Sequence, residues 1–132
     1  VHPYFAVQNS DGVSFSSDAV MGNNNLQDYK EVKAAEVLEY ISSEQLYKVQ
    51  GAPDLHLINR QCKETVIHRT GQSSLKMTAD PEVFNRLAIW RKSKDSKFIC
   101  IESAYEQNGL NVNPLEIAPG KSFTTRVDIE LA

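Results

Sequence analysis

Apolar and polar positions along this chain alternate in short runs, and turn-forming residues separate the runs. Residues 74–78 set Leu75 and Met77 against Ser74, Lys76 and Thr78, the period of two in which successive side chains leave opposite faces of a strand. Residues 123–131 repeat the pattern, with Phe123, Val127, Ile129 and Leu131 predicted inward and Arg126, Asp128 and Glu130 outward. Segments 55–58, 65–68 and 86–90 read as further strands. So does 13–15, bracketed by 8–12 and 22–25, where Asn, Asp and Gly tolerate positive φ. Residues 97–102 are apolar at almost every position, which predicts a central strand covered on both faces.

One stretch reads differently. From 29 to 46 the chain is rich in Glu, Lys, Ala and Leu, with Val32, Ala35, Leu38 and Ile41 near helical spacing, and the local prediction there is a helix. The remaining pattern, short strands at close spacing with turns between them, predicts a mainly β fold: an antiparallel β-sandwich with few or no helices. No repeat, low-complexity segment or linker divides residues 1–132, so a single sandwich domain is expected.

Composition narrows the partners. Fourteen Lys and Arg against 17 Asp and Glu give a net charge of -3, with no run of like charges, which argues against nucleic acid. No apolar run approaches the roughly 20 residues of a membrane helix, so no membrane partner is expected. Cys62 and Cys100 lack any Cys-x-x-Cys or Cys/His ligand spacing, so zinc has nothing to build on in the linear sequence; a reducing cytoplasm is the simplest setting. The chain opens at Val1 in what reads as the middle of an element, so an upstream portion is expected.

Candidate chemistry clusters late in the chain. Phe98, Cys100 and Glu102 share one face of their strand, and Ile99 and Ile101 share the other. A carboxylate closing so apolar a strand is either the first solvated residue beyond it or a group facing a cleft, where partial burial would raise its pKa toward that of a general base. His2 precedes Pro3, which favours extended geometry, and on its own reads as a solvated imidazole. His56 and His68 read as packing or surface residues. Asp54 reads as a turn cap, with a ligand-hydroxyl acceptor as the alternative. Trp90 reads as core, with a stacking platform as the alternative. Asn108, Asn111 and Asn113 lie in the loop after the Glu102 strand, where rigid sheets often present binding groups.

Three segments together resemble the aldose 1-epimerase (mutarotase) family. His2-Pro-Tyr-Phe5 is similar to its His-x-Tyr-Phe signature. Phe98-Ile-Cys-Ile-Glu102, with the Asn-bearing loop through Asn111, is similar to the strand ending in its essential glutamate. Residues 115–123 are similar to its closing Leu-x-Pro-Gly turn and last strand. Their order matches the second half of such a protein. The resemblance implies a C-terminal portion of a larger β-supersandwich, with His2 as catalytic histidine, Glu102 as catalytic base and Asp54 as a sugar-hydroxyl acceptor. Trp90, Asn108 and Asn111 are the further substrate-binding candidates. It implies a monosaccharide or sugar phosphate as substrate, with no metal and no organic cofactor. The family's substrate-orienting arginine and additional histidine would come from an absent N-terminal half or a second copy in a homo-oligomer. A non-catalytic carbohydrate-binding sandwich and a structural β domain are the alternatives.

Overall fold

Alternation becomes two antiparallel sheets of six strands each in a computed structural model, which describes residues 1–8, 12–106 and 109–132, with the side chains of 109 and 110 outside that description. The first sheet runs β1 (Tyr4–Ala6), β11 (Phe98–Ala104), β10 (Arg86–Trp90), β7 (Asp54–Ile58), β3 (Met21–Asn24) and β4 (Lys30–Lys33). The second runs β12 (Val127–Leu131), β9 (Leu75–Ala79), β8 (Glu64–Arg69), β2 (Val13–Ser16), β6 (Leu46–Lys48) and β5 (Glu39–Ile41). The fold is the antiparallel β-sandwich that the pattern predicts. Among the described residues, helix amounts to two 3-10 turns, Asn25–Gln27 and Ala34–Glu36, and one α turn, Gly109–Val112. No helix among the described residues is long and apolar enough to cross a membrane.

The inner faces make the core. Leu55, Leu57, Leu87, Ile89, Ile99 and Ile101 of the first sheet meet Phe15, Ile67 and Met77 of the second, all fully buried. Each such side chain contributes about 1.5–3 kcal/mol on leaving water, so the inner faces stabilise the sandwich and the outer faces need not. At one end the buried Arg60 guanidinium ties loops together, Nη2 donating to the Lys63 carbonyl at 2.8 Å and Nη1 to Ser103 Oγ at 3.2 Å.

Two expectations are corrected. The segment 29–46 forms β4, the Ala34–Glu36 turn, β5 and the start of β6 instead of a helix. Asp28 and Tyr29 enter it at φ 52 and 62, outside right-handed helix geometry. Val32 and Ala34 then bury at a spacing of two while Ala35 stays exposed, so tertiary pairing overrides the Glu/Lys/Ala propensity. At the other end, Ile129 and Leu131 pair with Met77 and Leu75 and face the core side as predicted, but they are not buried: Ile129 is 41% and Leu131 72% exposed. Phe123 precedes the strand and is also exposed. The reason is position. β12 is an outer strand paired only with β9, and among these apolar residues only Val127 reaches the core.

Candidate functional site

Every second residue of the first sheet points away from the core, and strands in register line those residues up. Glu102 pairs with Ala88, Ala88 with His56, and His56 with Asn23, giving one row across β11, β10, β7 and β3. Tyr4 pairs with Cys100, Cys100 with Trp90, and Trp90 with Asp54, giving the next. Strands lie about 4.8 Å apart, so Glu102 and His56 stand roughly 10 Å from each other across the row. Ala88 between them presents only a methyl group, and a hollow of about 340 Å³ opens there, lined by His2, Tyr4, Asp54, His56, Trp90 and Glu102 among others. A larger hollow, about 520 Å³, lies near β2 and β6, but its Asp18 carboxylate is consumed by the backbone N–H groups of Gln61 and Cys62.

His2 reaches the hollow because the β1–β11 register, continued two residues beyond Tyr4, sets it opposite Glu102. Its Nε2 is 3.4 Å from Glu102 Oε1, and its Nδ1 is 3.7 Å from Cys100 Sγ. The imidazole stacks on Tyr4 with ring centroids 4.9 Å apart, and Tyr4 in turn meets Phe98 at 5.3 Å and Trp90 edge-on at 6.4 Å. Glu102 is 14% exposed while His2 is 58% exposed, so the carboxylate is fixed and the imidazole has room to swing.

Burial pushes the Glu102 carboxyl above its ordinary range, and the nearby His2 charge pulls it partly back. Burial also pushes the Cys100 thiol up to about 11, with the Glu102 charge adding to it. On the far side, His56 is pushed down by burial and by Arg86, against an upward pull from Asp54. Its Nδ1 is buried without a hydrogen-bond partner among the described residues.

Of the sequence candidates, the structure brings His2, Glu102, Asp54 and Trp90 to this one hollow. Asp54 opens β7 and its Oδ1 accepts a hydrogen bond from Asn25 Nδ2 at 2.7 Å, and Trp90 is half-buried on the outer face instead of in the core. Asn111 sits exposed on the Gly109–Val112 turn and does not line the hollow; Asn108 lies outside the described residues. His68 is half-buried on β8, its Nδ1 3.0 Å from Ser74 Oγ.

Sequence reading missed three contributors: His56, Tyr4 and Arg86. Arg86 pairs with Glu106 at 3.1 Å and donates from Nη1 to Asn23 Oδ1 at 2.8 Å, bracing the floor of the site. The signal was present in the alternation. Asp54 and His56 oppose Leu55 and Leu57, and Arg86 and Trp90 oppose Leu87 and Ile89, so each pair had to lie on the outer face of its own strand, and the β7–β10 pairing joins the two. The meeting of His2, Cys100 and Glu102 is invisible to linear spacing, since His2 and Cys100 are 98 positions apart.

No protein-family model matches the chain, and no curated protein does either. Among solved structures it is similar to the crystal structure of HI1317, with a TM-score of 0.56 at 12% identity, covering 78% of this chain. The chain spans 38% of the length of that protein. The likeness is one of fold, and the fold it shares is the β-sandwich.

Proposed function

We propose that the hollow interconverts the α and β anomers of an aldose by general acid/base catalysis. The observation that carries this reading is the approach of His2 Nε2 to within 3.4 Å of Glu102 Oε1 at a hollow of monosaccharide scale. Supporting it, the two segments whose motifs resemble the mutarotase histidine and glutamate signatures are neighbours in one sheet. Asp54, the unpaired His56 nitrogen and the Trp90 ring offer a hydroxyl acceptor, a second polar contact and a surface for a sugar's apolar face.

In the proposed reaction Glu102 takes the proton of the anomeric hydroxyl while protonated His2 gives one to the ring oxygen. The C1–O5 bond breaks, leaving an aldehyde and a free hydroxyl. After rotation about C1–C2 the hydroxyl attacks the other face of C1, returns its proton to His2, and the carbonyl oxygen takes the proton held by Glu102. All protons balance between Glu102 and His2. A carboxyl raised by burial suits the base, because a general base works best when its proton affinity is moved toward the working pH. The His2–Glu102 pair parts to admit the sugar, and the exposure of His2 allows that movement.

The same exposure favours a second reading: a carbohydrate-binding sandwich without turnover, since a catalytic imidazole works best when its geometry is held. Polarimetry on freshly dissolved glucose, galactose and their 6-phosphates separates the two. The catalytic reading expects acceleration over buffer, falling about 10²–10⁴-fold in Glu102→Gln and in His2→Ala. No acceleration, together with a saturable change in the fluorescence of Trp90, the one tryptophan of the chain, leaves binding alone. No response of either kind to any aldose refutes both.

A further inference from the structure

Beside His2 the floor holds a donor set of which the proposed proton transfer uses His2 and Glu102 and leaves Cys100 idle. Cys100 and Glu102, two apart on β11, project from the same face, and His2 arrives over them from the start of the β1 segment. One ligand atom from each residue lies within 4.8 Å of the others: an imidazole nitrogen, a sulfur and a carboxylate oxygen. We propose that His2, Cys100 and Glu102 bind a borderline-soft divalent cation, with zinc as the best match, leaving one coordination position open to the hollow.

Three arguments support this. First, the chemistry of the donors is selective: imidazole and thiolate suit zinc and its neighbours, whereas magnesium and calcium require oxygen shells that this site does not offer. Second, the spacing fits. Zinc bond lengths of about 2.0–2.3 Å place adjacent ligand atoms of a tetrahedral ion roughly 3.3–3.7 Å apart. The imidazole approaches the carboxylate at 3.4 Å and the sulfur at 3.7 Å. It uses a different nitrogen for each approach, so binding needs a turn of the ring, and His2, 58% exposed and ahead of β1, can make that turn without disturbing the core. Third, Cys100 is fully buried and Glu102 nearly so, while His2 is the exposed member, so an ion can enter from the hollow and be closed over by the imidazole. Three protein ligands with a fourth position toward solvent is the arrangement of an exchangeable site, in contrast to a closed structural one.

A bound cation would occupy the imidazole and carboxylate that the proposed proton transfer uses, so metal and sugar turnover compete for this site, and the test of metal binding does not use activity. Cobalt(II) added to the full chain under anaerobic, thiol-free conditions is expected to give a sulfur-to-cobalt charge-transfer band saturating at one equivalent. Zinc(II) should displace it stoichiometrically. Cys100→Ser should abolish the band, His2→Ala and Glu102→Gln should each weaken cobalt binding about tenfold or more, and Cys62→Ser should change nothing. His2→Ala removes an exposed side chain outside the core, so it keeps the proposal open to refutation even if Cys100→Ser fails to fold. No band, a band that survives Cys100→Ser or is lost in Cys62→Ser, or cobalt affinity unchanged in His2→Ala would each overturn the assignment.

Discussion

Replacing Glu102 by glutamine keeps shape and removes charge, and under the proposed acid/base reading its effects on turnover and on stability carry opposite signs. For turnover, loss of a positioned base is worth about 10²–10⁴-fold, or about 2.7–5.4 kcal/mol of transition-state stabilisation at 1.36 kcal/mol per factor of ten. For stability, the His2 partner is 58% exposed, and such screened pairs contribute about 0–1 kcal/mol. Against that stands the cost of holding a buried carboxylate ionised. Because folding raises the Glu102 pKa above its ordinary 4.5, this group favours the folded state while protonated below that value, and the benefit is lost as pH rises through the folded pKa. Glutamine does not titrate. Urea unfolding of wild type and Glu102→Gln should therefore coincide near pH 4, and at pH 7 the variant should match or exceed the wild type. If Glu102 were instead a structural anchor, its loss would cost the 1–3 kcal/mol of a broken buried hydrogen bond, moving the urea midpoint down by roughly 1 M. A midpoint drop of that size at pH 7, or polarimetric rates that do not change, would refute the assignment of this carboxylate to chemistry.

His56 carries the reverse sign: burial and Arg86 lower its pKa below 6.5, so its contribution to stability is present above 6.5 and lost as pH falls below it. Because Glu102 acts in the opposite direction over the same range, the His56 share is read as a difference: between pH 7 and 5 the wild-type urea midpoint should lose ground relative to that of His56→Gln. Gly22→Ala should cost about 1–3 kcal/mol in the same assay, because the new Cβ would lie 2.9 Å from the His56 carbonyl oxygen, which the β3–β7 ladder holds in place. Across the β9–β12 pair the two partners should differ sharply. Met77→Ala empties a fully buried position and should cost about 2–5 kcal/mol, while Ile129→Lys on the exposed outer strand should stay within about 0.5 kcal/mol.

Much of the sandwich was legible because burial on one face writes itself into sequence as a period of two. Leu75 and Met77, Leu55 and Leu57, and Leu87 and Ile89 each show that period and each pair lies on the inner face. Where the period failed as a guide, a property of neighbours decided. Val32, Ala34 and Leu38 do bury, but Val32 through β4, Ala34 through a 3-10 turn and Leu38 just after it, and the Val32 partner, Gly22 of β3, is brought alongside only in the folded sheet. Ile129 and Leu131 have the right alternation for core residues and lack only a covering layer, which no local pattern encodes.

The site was legible in part for a related reason. Period-two reading tells which residues share a face but not which strands are adjacent, and adjacency is what makes a hollow. From sequence, Glu102 closes one strand, Asp54 opens another and Trp90 ends a third; the order β1-β11-β10-β7 is what turns them into one surface with His2 at its rim. The same order explains why Ala88 matters although it carries no chemistry. A larger side chain at that single point of the Glu102–Ala88–His56 row would fill the space between the two titratable groups and leave the sandwich core untouched. The room on this face is therefore set by one small residue in the middle strand as much as by the polar residues around it.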